Sequence, residues 1–218
     1  VITGAGKQEG INRGIARVFA KHGAKLILVD ILPIKLEELS ATLKDAILLT
    51  VECDVSKETD VISATQRIRD KLKKREVDVL VNGVAIFTRK HITEATQQDW
   101  NRLLGVNVTG YALMIKHMIP LMKKGRASII NISSISASRA QFVDMAIYNS
   151  SKASIVQMSK NIAVDLWEGY GIRVNTVCPG GIETGALRDH IDEMVKNGQA
   201  KSVDEALANC TQCNIIKR

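Results

Sequence analysis

VITGAGKQEGINRGIARVFAKHGAKLILVD, residues 1–30, reads as a strand, a glycine loop, a helix and a second strand. Val1-Ile2-Thr3 is apolar and gives way at once to Gly4-Ala5-Gly6. Beyond Gly10, Ile15, Val18, Phe19 and His22 recur at helical spacing. Gly23 ends that helix in the manner of a C-cap. The run 25–29 closes on Asp30, as a strand buried on both faces of a parallel sheet does. Backbone amides of such a loop, with the helix N-terminus behind it, can hold a pyrophosphate. A carboxylate at the end of the second strand, here Asp30, can hold the ribose diol of NAD.

Outward from there the alternation continues. Pro33 opens a helix with Leu36, Leu39 and Leu43 inward, and a strand over 46–51 leads to Asp54. Ser56 is expected to cap a helix carrying Val61, Thr65, Ile68 and Leu72. A strand over 77–81 ends in Asn82-Gly83. Thr96-Gln97-Gln98-Asp99 is a capping box, and a long helix is expected over 100–124. A strand over 128–132, a long helix over 148–167 and a strand over 172–177 follow. Strands alternating with helices predict an α/β fold, a doubly wound parallel sheet flanked by helices on both faces. Right-handed crossovers put the strands' C-terminal ends on one rim. That rim collects the Gly4 loop, Asp30, Asp54, Asn82, Ser134 and Pro179-Gly180, and ligands bind along such a rim.

The 218 residues are 45% hydrophobic and 24% charged, a globular balance, and aromatics at 4% make the core aliphatic. The formal charge of +7 comes from 30 Lys+Arg against 23 Asp+Glu, dispersed along the chain. The densest run, Lys71, Lys73, Lys74 and Arg75, falls at a helix C-terminus, where cations suit the dipole. No aromatics interleave with it, which argues against a nucleic-acid surface. No apolar run is long enough to span a membrane, so a cytoplasmic protein is expected. Cys53, Cys178, Cys210 and Cys213 are too few for a disulfide scaffold. Cys210-x-x-Cys213, with His190 the nearest histidine, lacks the ligand set of a structural zinc site, and no metal is expected.

Tyr148-Asn149-Ser150-Ser151-Lys152 puts a phenol and an ammonium on one helical face. A free tyrosine titrates near ~10, and a cation beside it favours the phenolate. That arrangement suits proton transfer to or from an alcohol or carbonyl oxygen. Ser133-Ser134 lies about one element upstream.

In order and placement, the Thr3-Gly4 loop, Asp30, Cys53-Asp54-Val55, Asn82-Gly83, Asn107, Ser133-Ser134, Tyr148-x-x-x-Lys152, Ile172-Arg173-Val174-Asn175 and Pro179-Gly180-x-x-x-Thr184 resemble the short-chain dehydrogenase/reductase family. The resemblance covers residues 1–184 and implies a single Rossmann-like, NAD(P)-binding domain. It implies an oxidoreductase passing a hydride between a nicotinamide cofactor and a carbonyl or secondary alcohol. Tyr148 would be the acid/base on the substrate oxygen. Lys152 would hold the nicotinamide ribose and depress the tyrosine pKa. Ser134 would polarise the substrate oxygen, and Asn107 would place a water in a proton relay. Gly4, Gly6, Gly10 and Ile11 would surround the phosphates. Asp54 and Val55 would lie near the adenine, and Asn82 and Gly83 along the cofactor. Pro179, Gly180 and Thr184 would lie around the carboxamide. Asp30, followed by Ile31 and with Glu9 before Gly10, favours NAD over NADP, with Lys7 and Arg13 as competing features. The family's habit further implies a homotetramer through the helices at 100–124 and 148–167, and a substrate lid over 185–218.

Three departures stand out. The loop from Thr3 to Asn12 is two residues longer than the family's TGxxxGIG, with Asn12 for the last glycine. Asparagine is expected to keep the turn by tolerating unusual dihedrals. The family's NNAG reads Asn82-Gly83-Val84-Ala85, which adds bulk beside the cofactor. Relatives continue beyond the equivalent of Arg218 with a helix and a strand, so both ends are expected to be incomplete. Residues 214–218 resemble the run-up to that part, and strand 172–177 would otherwise be an open edge. A non-catalytic dinucleotide-binding sensor or scaffold is the alternative. Epimerases and dehydratases carry a larger substrate domain, and divergent enoyl reductases space tyrosine and lysine more widely. A pocket of Ser136, Val143, Gly180 and the tail leaves the small alcohol or ketone substrate open.

Overall fold

The computed structural model describes residues 1–7, 9–140, 143–182 and 184–211. Cys213 and the run 214–218 lie outside them. Among the described residues, six parallel strands form one sheet in the order β3-β2-β1-β4-β5-β6. They are β1 (Ile2–Thr3), β2 (Leu26–Asp30), β3 (Ile47–Glu52), β4 (Val79–Asn82), β5 (Ser128–Ile132) and β6 (Arg173–Val177). The helices are α1 (Ile11–Lys21), α2 (Pro33–Leu43), α3 (Glu58–Leu72), α4 (Gln97–Leu104), α5 (Gly110–Met118), α6 (Ala146–Tyr170), α7 (Gly185–Lys196) and α8 (Val203–Thr211). The strand order turns back beside β1, which pairs with both β2 and β4, and this reversal opens a crevice at the strands' C-terminal ends.

β2 is buried along its whole length, which is why it carries no alternation. Its residues divide between two cores. Ile27 and Val29 join Val51, Ile68, Met114, Met118 and Leu166 on one face. Leu26 and Leu28 join Ile2, Ala16, Leu36, Leu39 and Val81 on the other. Each such aliphatic side chain contributes roughly 1.5–3 kcal/mol on burial.

Three local expectations are corrected. Ser56 does not cap α3; its amide and hydroxyl both go to Asp54 Oδ1, at 3.1 and 2.7 Å, and Lys57 is the cap residue. The helix expected over 100–124 is continuous from Gln97 to Met118 but is not regular and ends early. A π turn at Gly105–Thr109 joins α4 to α5, and Pro120 lies in a 3₁₀ segment that ends the run after Met118. Asn12 lies inside α1 at helical dihedrals rather than holding an unusual turn. The capping box forms as expected: Asp99 N donates to Thr96 Oγ1 at 3.2 Å and Thr96 N donates to Asp99 Oδ2 at 2.9 Å. No helix among the described residues is long and apolar enough to cross a membrane.

Candidate active site

The rim begins at β1. Gly4 takes a positive φ of 73°, and a Cβ there would come within 2.9 Å of the Val84 backbone, so only glycine fits this close approach. Gly6 donates its amide to Asp30 Oδ2 at 2.8 Å, and a Cβ on Gly6 would press on the Asp30 carboxylate. Asp30 Oδ1 accepts from Leu32 N at 3.0 Å. Asp30 is therefore buried and braces the glycine loop from the end of β2. Gly10 is the N-cap of α1 and Ile11 its first residue, and no side chain caps the helix. Open amides at a helix N-terminus, a glycine cradle and an acceptor at the next strand end fit a dinucleotide.

Asp54 is tied to Ser56, with Lys57 Nζ at 3.5 Å. Burial pushes its carboxyl up, but Ser56 and Lys57 outweigh that and hold it below the ordinary range. Val55 is buried against Gly110, where a Cβ would strike its side chain. Asn82 turns its amide inward: Nδ2 donates to Asn131 Oδ1 at 3.0 Å, and Asn131 Nδ2 donates to Ser159 Oγ at 2.9 Å. This chain of bonds fastens β4, β5 and α6 beneath the rim, with Asn82 paired to Asn131 in register. The Pro179 carbonyl accepts from Ile135 N at 3.0 Å, which draws the segment 179–180 beside Ser134. The Thr184 carbonyl accepts from Leu187 and Arg188 at the start of α7. Arg188 also pairs with Glu9 of the glycine loop at 3.2 Å.

Ser134, Tyr148 and Lys152 come together at the ends of β5 and α6. Ser134 is fully extended, and its Oγ accepts from Ser136 N at 3.1 Å. Tyr148 lies in the first turn of α6 with Phe87 edge-on, ring centroids 5.0 Å apart. Burial raises the Tyr148 phenol above its usual pKa, and a hydrogen bond with the Ser134 hydroxyl opposes that rise. The expected depression by Lys152 is absent. Lys152 Nζ lies 5.7 Å from the ring centroid and donates to the Ile132 carbonyl at 3.1 Å. The same carbonyl accepts from Tyr111 OH at 3.0 Å. Lys152 is almost fully buried, and burial pulls its ammonium down to about 8 while Cys178 opposes.

Asn107 sits in the π turn, fully buried. Its Oδ1 accepts from Ile86 N at 2.9 Å and its Nδ2 donates to Ile86 O at 3.0 Å, a two-point clasp on the loop after β4. Nδ2 also reaches Ser151 Oγ, at 3.2 Å, in the Tyr148–Lys152 turn. π turns recur at functional sites. The side chains not foreseen are Phe87, Tyr111, Asn131 and Asn12. Of these, Asn131 is a polar residue inside an apolar strand and Asn12 stands where a glycine is expected, while Phe87 and Tyr111 carried no signal in the sequence.

A family model described as enoyl-(acyl carrier protein) reductase matches residues 4–213. Dehydrogenase/reductase SDR family member 6 of Aquarana catesbeiana is 35% identical over 196 residues, 88% of this chain and 74% of that one. Among solved structures, 3-ketoacyl-(acyl-carrier-protein) reductase from Brucella melitensis complexed with NADH is 31% identical with a TM-score of 0.78, over 99% of this chain and 92% of that one. L-sorbose reductase from Gluconobacter frateurii complexed with NADPH and L-sorbose is 28% identical with a TM-score of 0.81, over 90% and 74%. The chain belongs to the short-chain dehydrogenase/reductase family. It is an oxidoreductase of the kind that moves a hydride between a nicotinamide cofactor and an alcohol or carbonyl group.

Proposed function

We propose that Ser134, Tyr148 and Lys152 carry the proton side of this reaction on a secondary alcohol or ketone, with NAD(H) as the preferred cofactor. The nicotinamide supplies and accepts the hydride. The observation that carries the reading is the convergence of Ser134, Tyr148 and a buried Lys152 at the ends of β5 and α6, with Lys152 Nζ 5.7 Å from the Tyr148 ring centroid and the Ser134 hydroxyl near enough to oppose the rise in the phenol's pKa. Ser134 Oγ and the Tyr148 phenol would both hold the substrate oxygen, with Tyr148 giving or taking its proton. Lys152, fixed through Ile132, keeps further N–H donors for a ribose diol. Asn107 clasps Ile86 and touches Ser151, so it holds the loop after β4 to the catalytic helix, and a water relay would start there.

Gly4, Gly6, Gly10 and Ile11 would surround the pyrophosphate, and Asp30 would accept from the adenine ribose. Asp54 and Val55 would flank the adenine and Gly83 would pass beside the cofactor, while Asn82 would act from beneath. Pro179, Gly180 and Thr184 would bound the nicotinamide. The carboxylate at Asp30 favours NAD, because a 2′-phosphate would meet it. Arg13 does not compete for that phosphate: Nη2 donates to the Lys35 carbonyl at 2.9 Å. The chain acts as one domain, with the segment from 185 onward covering the substrate. The Tyr148–Lys152 spacing favours an alcohol/ketone enzyme over an enoyl reductase. Exposed Val164 and Trp167 on α6 suit a homo-oligomer, and a tetramer mass is the expected outcome of light scattering. The unbridged thiols of Cys53 and Cys178 suit the cytoplasm. A panel of small alcohols and ketones, followed by nicotinamide absorbance, tests the proposal. Turnover on members of the panel supports it, and NADH binding without turnover on any of them favours the sensor alternative.

A further inference from the structure

Two departures from the family pattern meet in space. Asn12 stands at the last glycine of the phosphate loop, and Gly83 stands at the second asparagine of the segment after β4. The Asn12 side chain crosses from α1 to the end of β4. Nδ2 donates to the Gly83 carbonyl at 2.8 Å and to the Gly4 carbonyl at 3.2 Å. Two carbonyl acceptors set the orientation of that amide, because the oxygen offers no donor to either. Oδ1 is left buried and without a hydrogen-bond partner, against the face of Gly83. A Cβ on Gly83 would collide with the Asn12 amide, so no other residue fits opposite this asparagine. A third bond, Gly83 N to Thr3 Oγ1 at 3.0 Å, closes the same seam.

We propose that Asn12 is a positioning residue of the dinucleotide site, a clamp that fixes the lengthened glycine loop to the loop after β4, with asparagine and glycine exchanged across the seam. This rests on the reading that the glycine loop holds the cofactor's phosphates. The loop is long, and its Glu9 takes a positive φ of 53°. The clamp holds its two ends, through Gly4 and α1, at one spacing. An aspartate at position 12 would set a carboxylate against two carbonyls and undo the seam.

The test compares N12G, G83N, N12G/G83N and N12D with the wild type. NADH affinity is read by fluorescence titration, and thermal melting of the cofactor-free protein is read alongside. Loss of two hydrogen bonds in N12G, and the collision with the Asn12 amide in G83N, predict that each single exchange weakens NADH about tenfold or more. The double exchange, which returns an asparagine to the other side, is expected to recover to within about threefold of wild type. N12D is expected to lose the most and to melt lowest. N12G opens space and makes no clash, so it carries the test where G83N fails to fold. Singles that melt lower yet bind NADH like wild type would make Asn12 merely structural and overturn the proposal. So would a double variant no better than the worse single. Wild type that binds no NADH would overturn the dinucleotide reading itself, and the clamp with it.

Discussion

Lys152 gives its ammonium to the Ile132 carbonyl at 3.1 Å, and its Nζ stands 5.7 Å from the Tyr148 ring centroid rather than on the phenol. Tyr111 shares that carbonyl and lies under the same ammonium, with Nζ 5.9 Å from its ring centroid. The lysine is thus held by the backbone of β5, while burial raises the Tyr148 phenol and the Ser134 hydroxyl opposes that rise. The buried cation has a consequence for the fold as well as for the chemistry.

Lys152 titrates near 8 in the folded chain, below its ordinary 10.5, so folding disfavours its charged form. The penalty is full below about pH 8 and fades as pH climbs toward 10.5. Lys152→Met removes it. Denaturant unfolding of the cofactor-free protein is expected to show the variant more stable at neutral pH, by up to about 3 kcal/mol. The difference from wild type should shrink through that alkaline window, while turnover is lost. A variant less stable than wild type at pH 7 would show that the ammonium's bond to Ile132 outweighs its desolvation.

Tyr148 must be a phenolate to accept a proton from an alcohol and a phenol to donate one to a ketone. Its raised pKa keeps it protonated at neutral pH. Alcohol oxidation is therefore expected to accelerate with pH, about tenfold per unit on its acidic limb, while ketone reduction slows at high pH. Rate profiles in both directions on one substrate pair measure this. Oxidation that stays level from neutral to alkaline pH would contradict the assignment of the proton carrier.

Asp30 has two tasks, so its substitution is expected to have two effects. Asp30→Asn removes the charge that a 2′-phosphate would meet, and it leaves one of the Gly6 and Leu32 amides without an acceptor. NADH affinity should fall by about tenfold from the disturbed loop, and the NADH-over-NADPH preference should narrow. Titration of both cofactors at equal salt decides it. Tighter NADPH than NADH binding by the wild type would overturn the NAD preference.

The rim was legible because strand ends are marked by residues of unlike character. Asp30, Asn82 and Ser133-Ser134 each close an apolar run, and the structure lays them along one edge. Contacts that depend on distant backbone were not legible. The partner of Lys152 is a carbonyl twenty residues away, which no helical spacing reveals. Ser56 satisfied the residue preference for a cap but was drawn to Asp54 instead, a competition that short-range preferences leave open. The π turn at Gly105–Thr109 adds a residue to a helical pattern that reads as continuous. Asn12 was read as a substitute for glycine dihedrals, whereas its side chain reaches a glycine 71 positions on.

Tyr148→Phe tests the central claim most directly. The ring stays beside Phe87 and only the hydroxyl shared with Ser134 is removed. NADH affinity by fluorescence is expected to stay within about twofold of wild type. On any substrate the wild type turns over, kcat is expected to fall by about 10²–10⁴-fold. A variant that keeps most of the wild-type kcat would contradict the account.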